Sequence, residues 1–200
     1  GTGGFLIAAM HRMLEAAKPN EKEDIKQNLV SDDILRRLSS NVNPEGVVFI
    51  AHYPDYSNLN FNIILYLDNV SDPGNMGTLI RTALAFSYDA VIVSQGSCSI
   101  YNEKVINSTK GAIFSIPVFV GDISCYVDSH EIIVSTLSSD SVSLESITFK
   151  DKFVLVLGNE SHGVSPKINN ISHKKVKIEI SNIDSLNVAV AGGILMNKIH

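Results

Sequence analysis

This chain of 200 residues has few cysteines and no long apolar run, and each shortage excludes a class of protein. Its two cysteines, Cys98 and Cys125, are not in a C-x-x-C spacing, and the histidines are not clustered. This argues against a disulfide scaffold or a metal site and fits a reducing compartment, for which the cytoplasm is the default. The longest apolar stretch, Val188 to Met196, is too short to span a bilayer. The apolar piece at residues 5–10 has no basic residue before it, so we expect no signal peptide and no membrane partner.

Positive charge is also scarce, since 16 lysines and arginines face 21 aspartates and glutamates and the formal net charge is -5. Phosphate binding usually leaves a basic surface, and here only local clusters such as Arg36-Arg37 and His173-Lys174-Lys175 are present. Any contact with nucleic acid is therefore expected to be local or supplemented by a partner subunit. An apolar content of 44% with 18% charged residues indicates a globular chain, of one domain or one domain plus a partial one.

Apolar runs alternate with helical patterns from about residue 60 onward. The continuous runs predict strands buried on both faces, as in a parallel sheet, at 62–68, 90–94, 116–120, 131–136, 152–158 and 175–180. Between them we predict helices at 75–87, 102–113, about 143–147 and 185–198. This alternation predicts an α/β fold, a parallel sheet with helices on both faces, whose ligands bind beyond the carboxyl ends of the strands.

The start of the chain has a different pattern. Residues 5–18 predict a helix, Ser31-Asp32-Asp33 predict the cap of a second helix that ends near Leu38, and residues 47–51 predict a strand. Residues 53–58 contain many turn formers and predict a linker. We therefore assign a small partial α/β segment with its linker to residues 1–57 and the main domain to residues 58–200.

The first polar motif runs from Asp68 to Ala83, where a predicted strand leads into a predicted helix. Pro73-Gly74 predicts a turn, and Asn75 is a favourable N-cap residue. Gly77 permits the close approach of another backbone or a ligand. Arg81 has the planar guanidinium that binds phosphate or carboxylate through two hydrogen bonds. On local chemistry alone, a capped helix with a surface arginine explains the same residues.

The second polar motif, Gly158-Asn159-Glu160-Ser161-His162-Gly163, follows the apolar run 153–157. Its two glycines free backbone N–H groups for a ligand. The spacing matches neither the G-x-G-x-x-G dinucleotide pattern nor a P-loop, which excludes a Rossmann-type NAD enzyme. A simple turn with an exposed acid is the alternative interpretation, and we expect no catalytic role for the lone histidine.

The third motif, Asp184 to Ala189, opens an apolar helix, with Asp184 or Ser185 as the predicted cap. Residues 188–196 are apolar nearly all round, which predicts a buried helix. Gly192-Gly193 inside it costs roughly 1 kcal/mol per residue relative to alanine, and close helix packing explains such a pair. Ser185 is not in a G-x-S-x-G elbow, so it is not a predicted nucleophile.

These three motifs, in this order and spacing, resemble those of the SpoU (TrmH-like) RNA 2'-O-ribose methyltransferases of the SPOUT superfamily. The first matches the family pattern Asn-x-Gly-x-x-x-Arg-Thr-Ala, and Ser-Leu-Asn-Val is the most specific part of the third. Residues 101–118 are also similar to the family's middle region, whereas Glu179 stands where the family usually has proline. The resemblance implies a C-terminal trefoil knot, which sequence patterns alone never suggest because knots are rare.

The resemblance also implies roles for individual residues. Arg81 is the implied catalytic residue, and four others are implied to arrange the site: Asn75, Glu160, Ser185 and Asn187. The implied contacts of S-adenosylmethionine are Thr136, Leu157, Gly158, Ile178, Ile180 and Leu186. The implied reaction transfers the methyl group to a ribose 2'-hydroxyl. Arginine is a poor general base because its pKa exceeds roughly 12, so we expect Arg81 to orient the hydroxyl and the adjacent phosphate.

The implied partners are RNA and a second copy of the chain, in a homodimer with the site near the subunit interface. Residues 5–53 resemble, more weakly, the end of a ribosomal-protein-like RNA-binding domain, which favours ribosomal RNA over tRNA. An alternative is a non-catalytic RNA-binding or assembly protein that retains the methyltransferase fold. The acidic charge favours that alternative slightly, and the intact Arg81, Glu160 and Asn187 argue against it.

Overall fold

A computed structural model describes residues 31–38, 54–56 and 58–199. The chain divides into two compact units, residues 1–58 and 59–200. In the first unit the structure describes helix α1 (Asp32–Leu38), and the N–H of Ile34 lies 3.5 Å from Ser31 Oγ at its start. The predicted end of this helix is confirmed. The predicted helix at 5–18 and strand at 47–51 lie outside the described residues, and the ribosomal-protein-like character of this segment stays a prediction.

The second unit is built on one sheet of seven strands, all of them parallel. In chain order the strands are β1 (Ile63–Leu67), β2 (Ala90–Val93), β3 (Val118–Val120), β4 (Glu131–Ser135), β5 (Val142–Ser143), β6 (Phe153–Leu157) and β7 (Lys174–Lys177). Their spatial order is β3-β2-β1-β6-β4-β7-β5. The helices are α2 (Pro73–Ala85), α3 (Glu103–Thr109), α4 (Pro166–Ile171) and α5 (Val188–Ile199), with short 3-10 turns at Ala112–Phe114 and Ile123–Tyr126. The predicted parallel α/β sheet is confirmed.

The central strands are buried on both faces, as their continuous apolar runs predict. Leu65 and Leu67 of β1 belong to a core cluster that includes Leu79 of α2 and Leu195 of α5. Tyr66 alternates with them and therefore points to the other face, where its hydroxyl donates to the carbonyl oxygen of Gly121 at 3.3 Å. Burial raises the pKa of this phenol to about 12. Both sides of the sheet are thus covered by later segments of the same chain.

The predicted helix at 143–147 is wrong. Val142 and Ser143 instead form the edge strand β5, in parallel register with Val176 and Lys177 of β7. The chain then turns, with the N–H of Ser146 donating to the Ser143 carbonyl oxygen at 3.0 Å. A five-residue helix is marginal by itself, so pairing with a neighbouring strand prevails.

Helix α2 begins earlier than predicted. Asp72, and not Asn75, is its N-cap, since its side chain accepts a hydrogen bond from the N–H of Asn75 at 2.7 Å. Pro73 and Gly74 are the first residues of the helix and not a separate turn. Proline suits this position because its fixed backbone angle is helical and it has no N–H to satisfy. Because Asp72 is the cap, the Asn75 side chain is available for contacts outside the helix.

Helix α5 begins later than predicted, at Val188, and its cap is Asn187 in place of Asp184 or Ser185. Gly192 faces the neighbouring helix, where an added Cβ would collide with Leu79 and would lie 2.8 Å from Leu157. An added Cβ on Gly193 would meet no atom of the described residues within 4 Å. The predicted close packing therefore holds for Gly192 and is wrong for Gly193.

Other boundaries also differ. The predicted helix at 102–113 is helix α3 followed by a separate 3-10 turn, and helix α4 was not predicted, although Ser165-Pro166 is a helix-start pattern. Strand β7 ends at Lys177, so Ile178 and Ile180 lie in the following loop and not in the strand.

Candidate active site

The three polar motifs meet at one edge of the sheet. The first leaves the carboxyl end of β1, the second leaves β6, and the third follows β7. Strand β6 lies between β1 and β4, and β7 lies beside β4. Because all these strands are parallel, their following loops emerge on the same side.

A chain of side-chain hydrogen bonds joins one residue from each motif. Asn75 donates through Nδ2 to Glu160 Oε1 at 3.0 Å. Asn187 donates through Nδ2 to Asn75 Oδ1 at 3.0 Å. The Asn75 amide is therefore central, since it uses its donor towards the second motif and its acceptor towards the third.

Asn187 has a second role at the start of α5. Its Oδ1 accepts hydrogen bonds from the N–H groups of Ala189 at 2.9 Å and Val190 at 3.3 Å. These are two of the N–H groups that a helix start leaves without an internal partner. The same amide thus caps α5 and fixes the position of that helix start relative to Asn75.

Two residues that the sequence analysis did not single out hold the loops together beneath this chain. Asp68 is buried at the end of β1, where Oδ2 accepts from the N–H of Ser165 at 2.7 Å. Asn159 donates through Nδ2 to the Asn69 carbonyl oxygen at 2.8 Å and accepts from the N–H of Ser161 at 2.9 Å. An acid directly after an apolar strand is the signal that points to Asp68.

Gly158 is required by the path of the second loop. Asn159 and Gly163 exchange two backbone hydrogen bonds of 2.9 Å, which folds the loop back on itself. A Cβ on Gly158 would collide with the backbone of Gly163 and Val164. Gly163 itself has a φ of 68°, which favours glycine.

Arg81 and Ser185 are exposed and do not join the hydrogen-bonded chain. Within residues 31–38, 54–56 and 58–199, neither side chain has a hydrogen-bond or ion-pair partner. Arg81 lies six residues beyond Asn75 on α2. Its guanidinium is therefore free to bind a group from outside the unit.

The implied cofactor contacts lie at the carboxyl ends of three neighbouring strands. Thr136 follows β4, where its N–H donates to the Val176 carbonyl oxygen of β7 at 3.0 Å. Leu157 ends β6 and is buried, and Gly158 follows it. The remaining three follow β7 and are partly buried: Ile178, Ile180 and Leu186.

Two apolar side chains that the sequence analysis missed are exposed at this edge. Leu137 is 54% exposed directly after Thr136, and Ile183 is 56% exposed in the loop after β7. They offer apolar surface to a ligand beside the backbone N–H groups of the loops. The sequence alone does not distinguish these two residues from buried apolar ones, because their exposure depends on how the loops fold.

Local electrostatics agree with this arrangement. Burial raises the pKa of the Cys98 thiol, and the nearby carboxylates of Asp72 and Glu160 raise it further.

The described part of the chain contains no cluster of three or more histidine, cysteine, aspartate or glutamate residues suited to a metal ion. None of the helices described is both long and apolar enough to cross a membrane.

The chain is similar to known proteins in both sequence and structure. Residues 62–197 match the SpoU rRNA Methylase family. The chain is 29% identical to the 23S rRNA (guanosine(2553)-2'-O)-methyltransferase RlmP of Bacillus subtilis, over 100% of this chain and 89% of that protein. An uncharacterized tRNA/rRNA methyltransferase of Borreliella burgdorferi is 34% identical, over 68% of this chain and 62% of that protein. The AdoMet-bound rRNA methyltransferase from Sinorhizobium meliloti superimposes with a TM-score of 0.73 at 26% identity, over 84% of this chain and 69% of that chain.

The fold and the site together define a parallel α/β protein of the RNA methyltransferase class, in which three polar loops converge beyond the carboxyl ends of the strands. The chain belongs to the SpoU rRNA methylase family. This confirms the family that the three sequence motifs predict.

Proposed function

We propose that this protein transfers a methyl group from S-adenosylmethionine to a ribose 2'-hydroxyl of ribosomal RNA. The observation that supports this most directly is the hydrogen-bonded chain Glu160–Asn75–Asn187, which joins all three family motifs at one edge of the sheet. One relative that aligns over the whole chain is named as a 2'-O-methyltransferase of 23S rRNA. Ribosomal RNA is therefore preferred to tRNA as the substrate.

The residues at the ends of β4, β6 and β7 fit S-adenosylmethionine. The exposed Leu137 and Ile183 supply apolar surface, and the turns beside them supply backbone donors, a combination that suits a nucleoside with a charged tail. The implied contacts remain Thr136, Leu157, Gly158, Ile178, Ile180 and Leu186. When bound, the cofactor supplies a methyl group on a positively charged sulfur.

The protein's own task is to align the hydroxyl and to assist its loss of a proton. Arg81 binds the hydroxyl and the adjacent phosphate, because it is exposed and has no partner within the described part of the chain. Asn75, Glu160 and Asn187 are positioning residues, since they hold one another and the starts of α2 and α5. Ser185, exposed beside Asn187, is assigned to the RNA side of the site.

The C-terminal chain is proposed to be knotted and the protein dimeric. After β7 the chain returns past β4 and β6, because α5 packs on α2, the helix that follows β1. This return past the loops of those strands supports the proposal of a trefoil knot. Val190 and Ile194 of α5 are 52% and 40% exposed, one turn apart, and suit a second copy of the chain. The N-terminal segment 1–57 is proposed to bind RNA, and the cytoplasm is the proposed location.

Calorimetry with S-adenosylmethionine tests the proposal. Wild type should bind, and Leu186→Glu should not, because it places a carboxylate in the apolar wall of the site. Lys152→Gln, at the opposite edge of the sheet, is the control and should bind as wild type does. Failure of folded wild type to bind the cofactor would contradict the proposal.

A further inference from the structure

Most cations of the second unit are already paired with carboxylates. Those with a carboxylate oxygen within hydrogen-bonding or ion-pair distance are Lys150, Lys167, Lys174, Lys175, Lys177 and Lys198. Four exposed cations of the second unit have no such partner within the described residues: Arg81, Lys104, Lys110 and Lys152. In a unit with an excess of acidic residues, these four are the charges left for an anionic partner.

Three of the four unpaired cations lie on or directly after two helices that pack together: Arg81 on α2, Lys104 on α3 and Lys110 at the C-cap of α3. A Cβ on Gly77 of α2 would collide with Ser108 of α3 and would lie 2.9 Å from the Val105 carbonyl oxygen. Arg81 is one turn after Gly77, and Lys104 is one turn before Ser108. The close backbone approach therefore places these cations on neighbouring helices.

Lys110 occupies a position where glycine is the usual residue. It ends α3 with a φ of 50°, in the left-handed region that L side chains rarely adopt. A lysine there is conformationally less favourable than glycine. Its side chain is exposed and is therefore available for a contact outside the unit.

An exposed aromatic ring precedes the same helix. Tyr101 is 41% exposed, next to Asn102, which caps α3 by accepting from the N–H of Lys104 at 2.9 Å. The loop before it is held to the first motif, because the N–H of Cys98 donates to the Val70 carbonyl oxygen at 3.0 Å. This backbone contact ties the loop that leads to Tyr101 to the first motif of the candidate active site.

We propose that Tyr101, Lys104 and Lys110 form an RNA-docking surface on α3 that binds single-stranded RNA next to the methylated nucleotide. The two lysines bind backbone phosphates, and Tyr101 stacks on an unpaired base, which is how sequence-tolerant RNA binding combines charge with aromatic rings. This inference rests on the proposed function, because it places the surface beside that active site. The neighbouring Glu103 weakens the attraction without removing it.

The test measures binding of the full chain to a fluorescein-labelled single-stranded RNA of mixed sequence across a range of salt concentrations. Lys104→Gln and Lys110→Gly should each weaken binding and reduce the slope of log affinity against log salt by about 0.7, the value for one phosphate on a single strand. Lys110→Gly should not lower the melting temperature, since glycine suits the left-handed position. Lys152→Gln removes an equivalent exposed charge at the other edge of the sheet and should leave both quantities at wild-type values.

Tyr101→Ala should weaken binding by roughly 5-fold or more at an unchanged salt slope, and Tyr101→Phe should retain wild-type affinity because it keeps the stacking ring. Equal losses for Lys152→Gln and Lys104→Gln, or no RNA binding by wild type, would overturn the inference. Cofactor calorimetry on the same variants should match wild type. If the variants bind cofactor and RNA as wild type does, the docking surface alone is refuted. If wild type does not bind the cofactor, the proposed function is refuted.

Discussion

The two edges of the sheet use their polar groups differently. At the amino edge, Glu131 is buried and its Oε1 lies 3.0 Å from Lys174 Nζ, although its Oε2 has no hydrogen-bond partner among the described residues. There too His130 Nε2 lies 2.9 Å from the Phe61 carbonyl oxygen, and Asp89 accepts from the N–H of Ile63 at 2.9 Å. These contacts are mostly between side chains and the adjoining strands, so they hold the edge together.

At the carboxyl edge, polar groups join separate loops and leave others available. The Glu160–Asn75–Asn187 chain connects three loops, while Arg81 and the apolar Leu137 remain exposed. Two open cavities of about 630 and 510 Å³ lie elsewhere, one at the amino edge and the other beside β5 and β7. The candidate site is therefore indicated by the exposed polar and apolar groups of the carboxyl edge and not by these two cavities.

Removing Arg81 should have the largest effect on activity. Arg81→Ala should lower kcat by at least about 100-fold, as loss of a group that stabilises charge in the transition state does. The fold and the cofactor affinity should not change, because the Arg81 side chain is exposed and has no partner among the described residues. Arg81→Lys tests the two-hydrogen-bond geometry, since lysine keeps the charge and loses the planar fork. Methyl transfer at wild-type rate by Arg81→Lys would contradict that role.

Two substitutions of Asn187 separate its roles as helix cap and as bridge. Asn187→Asp keeps the oxygen that caps α5 but cannot donate to Asn75, so kcat should fall roughly 10- to 100-fold at unchanged stability. Asn187→Ala loses both contacts and should in addition lower the free energy of unfolding by about 1 kcal/mol. Urea unfolding and methyl-transfer rates measure the two effects. Equal stability losses in both variants would argue against the capping role.

A substitution at the amino edge should give the opposite result. Glu131→Ala should lower the free energy of unfolding by about 1–3 kcal/mol, because it leaves Lys174 without its buried partner. The turnover rate per folded molecule should remain that of wild type. A lower turnover rate of fully folded Glu131→Ala protein would contradict the assignment of a structural role to the amino edge.

The smallest effect concerns the Cys98 thiol. Because the carboxylate of Glu160 contributes to its raised pKa, Glu160→Gln should lower that pKa and speed alkylation of Cys98 at a given pH. The measurement is the pH profile of maleimide reaction in a Cys125→Ser background, with Glu179→Gln as the control. An unchanged profile in Glu160→Gln would place Glu160 away from the first motif.

Sequence patterns predicted the sheet because its central strands are continuous apolar runs, and the motifs predicted which loops converge. They did not predict that Asp72 caps α2 or that Asn187 caps α5, because several neighbouring polar residues suit a cap equally well. With Asp72 as the cap of α2, the Asn75 side chain can bond Glu160 and Asn187. Asn187 caps α5 through its oxygen and bonds Asn75 through its nitrogen. The edge strand β5 was also missed, since Val142 and Ser143 form a strand only through pairing with β7.

The most direct test of the central claim is methyl transfer from tritiated S-adenosylmethionine to ribosomal RNA, followed by alkaline hydrolysis. A 2'-O-methyl group blocks cleavage at its own linkage. We predict label in alkali-stable dinucleotides for wild type and for Lys152→Gln, and almost none for Arg81→Ala. Label released on mononucleotides, or no label from folded wild type that binds the cofactor, would contradict a 2'-O-ribose methyltransferase site at the carboxyl edge of this sheet.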